Sequence, residues 1–124
     1  MSKDNITDIA VIGGGASGFA AAIEAKTALP KAKVVILEKL DRVGRKILAT
    51  GNGRCNLSNI NLSADHYHGS VKNVMRIIGA TPSAKEFFGS IGVICTADTK
   101  GRIYPKSNSA ATVLSALRLR AEEL

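Results

Sequence analysis

The residues best suited to chemistry lie near the start of the chain. There Gly13-Gly14-Gly15-Ala16-Ser17-Gly18 separates the apolar run Asp8-Ile9-Ala10-Val11-Ile12 from a stretch rich in Ala, Ile, Glu and Lys. In a G-x-G-x-x-G turn between a strand and a helix the glycines have separate tasks. Gly13 makes the tight turn, Gly15 lets a pyrophosphate approach the backbone, and Gly18 lets helix and strand pack closely. The helix N-terminus behind them aims free N–H groups at the anion. Glu38 follows twenty residues after Gly18, at the end of a second apolar run. A carboxylate at that place accepts hydrogen bonds from both ribose hydroxyls of an adenosine and disfavours a 2′-phosphate. The glycine spacing alone is a weak signal, because unrelated loops match it. With a strand before it, a helix after it and an acid at the right distance, it predicts a dinucleotide site.

A second cluster comprises Gly44-Arg45-Lys46 and Thr50-Gly51-Asn52-Gly53-Arg54-Cys55-Asn56. Clustered Gly and Asn permit positive φ and present backbone N–H groups inward, while Arg45, Lys46 and Arg54 supply charge that offsets a phosphate or a reduced ring. Composition alone fits a flexible basic surface loop equally well. Cys55 and Cys95 belong to no metal-ligand spacing and read as free thiols, and Cys55, with no resolving cysteine near it, reads as a packed small residue rather than a redox centre. His66 and His68 flank Tyr67 without acidic or thiol companions, which favours a surface loop over a metal site. Arg102, Tyr104 and Lys106 read as a solvated strand face in preference to a ligand contact.

The elements that must position these groups follow from periodicity. Asp8–Ile12 and Lys33–Glu38 have the short, apolar, β-branched character of parallel strands buried on both faces. Between them a helix runs from Ala16 to Leu29, with Phe19, Ala22 and Ile23 on one face and Pro30 as its stop. Lys39 to Asn61 lacks periodicity and reads as loop with one helical turn at Arg45 to Ala49. Ser70 is placed as the cap of a short helix with Val71, Val74, Met75 and Ile78 on one face and Gly79 as its stop. Thr81-Pro82 opens the next helix, with proline at its first position and Gly89 at its end. Gly92–Thr96 and Gly101–Tyr104 form an antiparallel hairpin finished by Pro105. Ser109 caps a last helix with a stripe of Leu114, Leu117, Ala121 and Leu124.

Length and composition narrow the classes. A chain of 124 residues is one domain at most. No apolar run approaches the roughly 20 residues of a membrane helix, and the polar N-terminus leaves no h-region for a signal peptide, so a cytoplasmic, non-membrane protein is expected. A net charge of +7 favours anionic partners, of which a nucleotide is one. Nucleic acid is not expected, because the basic residues are dispersed and no aromatic residues interleave with them. Two parallel strands want neighbours and cover on both faces, so an incomplete domain is expected.

The segments Gly13 to Gly18, Glu38-Lys39, Gly44-Arg45-Lys46, Thr50 to Asn59 and Gly101-Arg102-Ile103-Tyr104-Pro105 together resemble the N-terminal part of a bacterial flavoprotein family. Its members are described as NAD(P)/FAD-dependent oxidoreductases, aminoacetone-oxidase-like or BaiN-type. The TGNGRCN segment is the most specific part of the likeness. The resemblance implies an α/β fold in which residues 1–124 are the N-terminal part of a Rossmann-like FAD-binding domain, with a βαβ unit, further helices and a β-hairpin. It implies FAD with adenosine on Glu38 and Lys39, pyrophosphate on Gly13, Gly14, Gly15, Ala16, Ser17 and Gly18, and the flavin side near Arg45, Lys46, Asn52, Gly53, Arg54, Cys55 and Asn56. It also implies a two-electron reaction on a small molecule, with NAD(P)H as a candidate donor. The flavin carries such chemistry itself, so no catalytic side chain is named. Family members are much longer than this chain, with an inserted substrate domain and a C-terminal return to the flavin pocket. Two other readings stand beside this one. One is an NAD-dependent dehydrogenase half-domain. The other is a non-catalytic nucleotide-binding or interaction module that recruits another chain through its sheet edge or its C-terminal helix.

Overall fold

The computed structural model describes residues 6–68 and 73–124. The chain opens with strand β1 (Ile9–Ile12), helix α1 (Ala16–Ala28) and strand β2 (Val34–Leu37). β1 and β2 pair in parallel, Ile9 opposite Val34 and Ile12 opposite Leu37. This is the βαβ unit of a Rossmann-type fold, present here with a two-stranded parallel sheet. α1 buries Phe19, Ala22 and Ile23, the face its spacing predicts. It ends one residue before the expected Leu29, whose N–H closes the last turn on the Ala25 carbonyl. Pro30 has no N–H with which to continue.

The two strands depart from the expectation of burial on both faces. Side chains alternate across a strand, and Val11 and Ile36, opposite one another in register, lie on the α1 side. The other side carries Ile12 and Leu37, which are 78% and 53% exposed. No described element covers that face, so the burial pattern along β1 alternates.

Beyond β2 come helix α2 (Arg45–Ala49), where a helical turn is expected, a 3-10 turn at Thr50–Gly53 and strand β3 (Ser58–Asn59). A second 3-10 turn spans Ala64–His66, followed by helices α3 (Val74–Gly79) and α4 (Ala84–Ser90). Strands β4 (Cys95–Ala97) and β5 (Arg102–Pro105) form the expected antiparallel hairpin, its first strand starting three residues later than the expected Gly92. β3, within a segment read as loop, adds to its other edge and makes the order β3-β5-β4, all antiparallel. Val74, Met75 and Ile78 are half-buried on α3, with Gly79 inside the helix and Ala80 as its cap. The cap assigned to Ser70 and the contact assigned to Val71 lie outside the described residues.

α4 begins two residues later than a proline-first helix would. Ser83 is its cap: the Ser83 hydroxyl accepts from the Glu86 N–H at 3.2 Å, and the Glu86 carboxylate accepts from the Ser83 N–H at 2.8 Å. Pro82 therefore precedes the cap instead of filling the first turn. Hydrogen bonds from the Ser83 side chain and backbone hold the Glu86 carboxyl below its ordinary pKa. Ser83→Ala removes one half of this reciprocal pair, and stability should fall by about 1 kcal/mol. Urea denaturation checks it, and an unchanged midpoint would leave the cap without energetic weight.

Helix α5 (Ala110–Glu123) follows Ser109 and supplies the centre of the core. Val113 and Leu117 are each 1% exposed and pack with Phe19, Ile23 and Ile47, drawing α1 and α2 onto α5. The deepest positions are Ala110, Val113 and Leu117; of the expected stripe Leu117 is buried, and Leu114, Ala121 and Leu124 pack half-buried against the same core. Among the described residues no helix is long and apolar enough to cross a membrane.

Candidate functional site

The glycine turn is fixed by its neighbours on three sides. Gly13, at φ +99°, donates its N–H to the Leu37 carbonyl at 2.7 Å, tying the turn to the end of β2. Gly14 donates to Glu38 Oε2 at 2.8 Å, and its carbonyl accepts from the Gly44 N–H at 2.7 Å. Gly18 sits in the first turn of α1, where a Cβ would stand 1.8 Å from the Gly13 carbonyl oxygen. The helix can approach the strand this closely only because position 18 has no side chain. Gly15 caps α1 with extended backbone, and a Cβ there would meet no atom within 4 Å. The space on that side of Gly15 is open, and the first turn of α1 has no acidic side chain to compete with an anion.

Glu38 is oriented before any ligand arrives. Oε1 accepts from the Leu40 N–H at 2.9 Å and Oε2 from the Gly14 N–H. The backbone amides of Leu40, Gly14 and Lys39 hold its carboxyl below the ordinary glutamate value against the opposing effect of desolvation. An ionised carboxylate has about four acceptor sites, so two remain for ribose hydroxyls.

These groups share one cleft of about 700 Å³. Gly13, Gly14, Gly15, Ala16, Ser17 and Glu38 line one part of it. Arg45, Lys46, Cys55 and Asn56 also line it, together with Ile47, Thr50 and Phe88. Gly18 lies beneath the turn, and Lys39, Asn52, Gly53 and Arg54 do not line the cleft. Arg42, absent from the expected set, does. It lies in the segment joining Glu38 to the Gly44 turn, and a basic residue there would have been the only signal. Of the charged residues lining the cleft, Arg42, Arg45 and Lys46 are cations and Glu38 is the one carboxylate, with Asp41 outside the lining 4.0 Å from Arg42, a balance that still favours an anion such as pyrophosphate.

The Thr50–Asn56 loop has the backbone that its glycines and asparagines predict. Gly51, Asn52, Gly53 and Cys55 all have positive φ. A Cβ on Gly51 would lie 2.6 Å from the Asn56 nitrogen and 3.1 Å from the Tyr104 ring, so the loop is folded tightly against β5. Cys55 is a free, buried thiol of the core cluster as well as a residue of the cleft wall. Cys95 is also free, and burial pushes its thiol pKa up.

The hairpin corrects one expectation. Tyr104 is 4% exposed, in place of a solvated strand face, because Arg54 lies over its ring at 4.3 Å. Arg102 is paired with Asp98 at 2.7 Å, and that hydrogen-bonded contact holds the Asp98 carboxyl below its ordinary pKa. Lys106 remains exposed. The His66 ring bonds the Asn61 carbonyl at 2.9 Å in the turn before α3.

Comparison with known proteins adds to this geometry. The family described as "HI0933-like protein Rossmann domain" matches residues 7–124. Over 115 residues the chain is 47% identical to the 3-dehydro-bile acid delta(4,6)-reductase of Clostridium scindens. The alignment covers 90% of this chain and 28% of that protein, so the chain spans little more than a quarter of its curated relative.

Proposed function

The chain belongs to the family of the HI0933-like protein Rossmann domain, and from that premise we propose that it holds the ADP half of FAD and one wall of the flavin site in an oxidoreductase. Glu38 takes the adenosine ribose, and Gly13 to Ser17 take the pyrophosphate at the N-terminus of α1. Arg42, Arg45 and Lys46 offset its charge. The observation that carries this reading is the continuity of the cleft. A glycine turn and an acid fit any dinucleotide, whereas here the same 700 Å³ runs on to Thr50, Cys55 and Asn56 of the specific loop.

The fit is physical at each point. The open space over Gly15 admits a ligand to the backbone, and Glu38 is already turned and ionised by its amides. When bound, FAD supplies two-electron redox chemistry, with a reduced nicotinamide nucleotide as its donor, while the protein orients it and sets the charge around it. The longer protein acts on a small molecule in the reducing direction, as the name of its Clostridium scindens relative states for that enzyme.

The visible spectrum of the purified full-length protein, followed by titration with FAD, ADP and NAD, tests the proposal. Flavin absorbance with FAD binding tighter than NAD is expected. A protein that binds NAD tightly and shows no flavin would instead be a nicotinamide-dependent dehydrogenase.

A further inference from the structure

Arg54 stands beside the cleft without lining it, and its side chain is committed elsewhere. Nη2 donates to the Tyr104 hydroxyl at 3.3 Å, Nε to the Gly51 carbonyl at 3.4 Å, and the guanidinium covers the Tyr104 ring. The second cation near that ring, Arg102 at 5.8 Å, is neutralised by Asp98, which also accepts the Arg102 Nε at 2.8 Å. Tyr104 can therefore hold Arg54 without strong repulsion from its other neighbour. The Gly51 carbonyl that Arg54 grips belongs to the left-handed run leading to Cys55 and Asn56, the two loop residues in the cleft wall.

We propose that Arg54 is a positioning residue: clamped on Tyr104, it fixes the Gly51–Asn56 loop and thereby the flavin-side wall of the cleft, without touching the cofactor. Glycine and Asn52 tolerate positive φ, but Cys55 at φ 61° is strained there, and such a residue is held by its surroundings. The clamp supplies that hold from β5, an element built into the second sheet and remote in sequence. This inference rests on the FAD reading for its functional consequence and on the loop geometry for its mechanical part.

The test is a double-mutant cycle in the full-length protein, with Arg54→Gln, Tyr104→Leu and the pair, and with Tyr104→Phe as the conservative variant. Each is titrated with FAD and with ADP, and the visible bands of bound flavin are recorded. Hydrogen exchange of amides 50–56 is followed in the FAD-free protein. Each single change should weaken FAD about tenfold, shift the flavin bands and leave ADP within about twofold, because ADP lies on the glycine turn and Glu38. The double variant should lose no more than either single, since both remove one interaction. Tyr104→Phe, which keeps the ring, should stay within about threefold of the parent.

If Arg54→Gln weakens FAD while Tyr104→Leu does not, or if the two losses multiply, Arg54 acts on the ligand directly and the clamp is overturned. Equal loss of ADP and FAD would overturn it too, as a general defect of folding. Should Tyr104→Leu not fold, Arg54→Gln and Tyr104→Phe with the exchange measurement decide. Should the parent bind no FAD, the functional reading fails, and exchange alone tests the clamp: faster exchange at 50–56 in Arg54→Gln supports it, and unchanged exchange overturns it.

Discussion

Gly18→Ala is expected to unfold the glycine turn and abolish nucleotide binding, lowering stability by about 3 kcal/mol, near the upper end for an overpacked site. The new Cβ would stand 1.8 Å from the Gly13 carbonyl oxygen and 3.1 Å from its carbon. These are backbone atoms, and they have nowhere to go. Gly13 is tied to Leu37, and Gly14 is tied to both Glu38 and Gly44. Relief must come from α1 lifting off β1, which would uncover Phe19 and Ile23 at the centre of the core. A melting temperature about 10 °C lower follows for a domain of this size. Gly15→Ala separates structure from binding at the same turn. Its Cβ meets nothing within 4 Å and its φ of −90° suits any residue, so stability should change by less than about 0.5 kcal/mol. The methyl takes space at the wall where the pyrophosphate approaches, and FAD affinity should fall tenfold or more, about 1.4 kcal/mol. Calorimetry with FAD titration of both variants reads the pair. A Gly18→Ala protein melting with the parent would refute the steric argument, and a Gly15→Ala protein binding FAD with parental affinity would move the pyrophosphate away from this turn.

That contrast was legible in the residues themselves. The role of Gly18 as the close-packing glycine follows from its spacing, and the buried face of α1 follows from Phe19, Ala22 and Ile23. What was not legible arises from interactions that local pattern does not carry. β3 is two residues long and polar, Ser58 and Asn59, so neither alternation nor propensity marks it. It exists because Ile103 and Arg102, more than forty positions away, offer a strand edge. Arg54 reads as a ligand contact because basic residues in glycine loops commonly are, and only the fold brings Tyr104 beneath it. The start of α4 is a different case. Ser83 and Glu86 have the spacing of a capping box, a local signal that outweighs the proline beside it. The open side of β1 and β2 shows the limit of composition: apolar residues state that a face prefers cover, yet Ile12 and Leu37 stand exposed among the described residues.

Glu38→Gln is the other change with a large expected effect, and its pH dependence sets it apart from general damage. The carboxylate accepts the Gly14 N–H on one oxygen and the Leu40 N–H on the other. Glutamine offers one carbonyl oxygen, so its NH2 must face one of those two donors. Loss of charge-assisted hydrogen bonds to the turn and to the ribose should weaken ADP about 10-fold to 100-fold. It should also narrow the preference for ADP over its 2′-phosphorylated form, which the charge of Glu38 repels. The sign of the pH effect follows from the lowered pKa of Glu38, caused first by the Leu40 amide and then by that of Gly14. A group whose folded pKa is depressed contributes stability that is complete above its unfolded pKa and is lost as pH falls through the folded one. Titration of the terminal phosphate of ADP acts on both proteins alike, so the parent's advantage over Glu38→Gln should hold from neutrality down to the ordinary glutamate range and shrink below it. Glu38→Gln should be weaker throughout and lack the additional acid limb that Glu38 contributes. Calorimetric ADP titrations across this range provide the measurement. An acid limb of equal size in both proteins would assign it to another group, and Glu38 would then be only the anchor of the glycine turn.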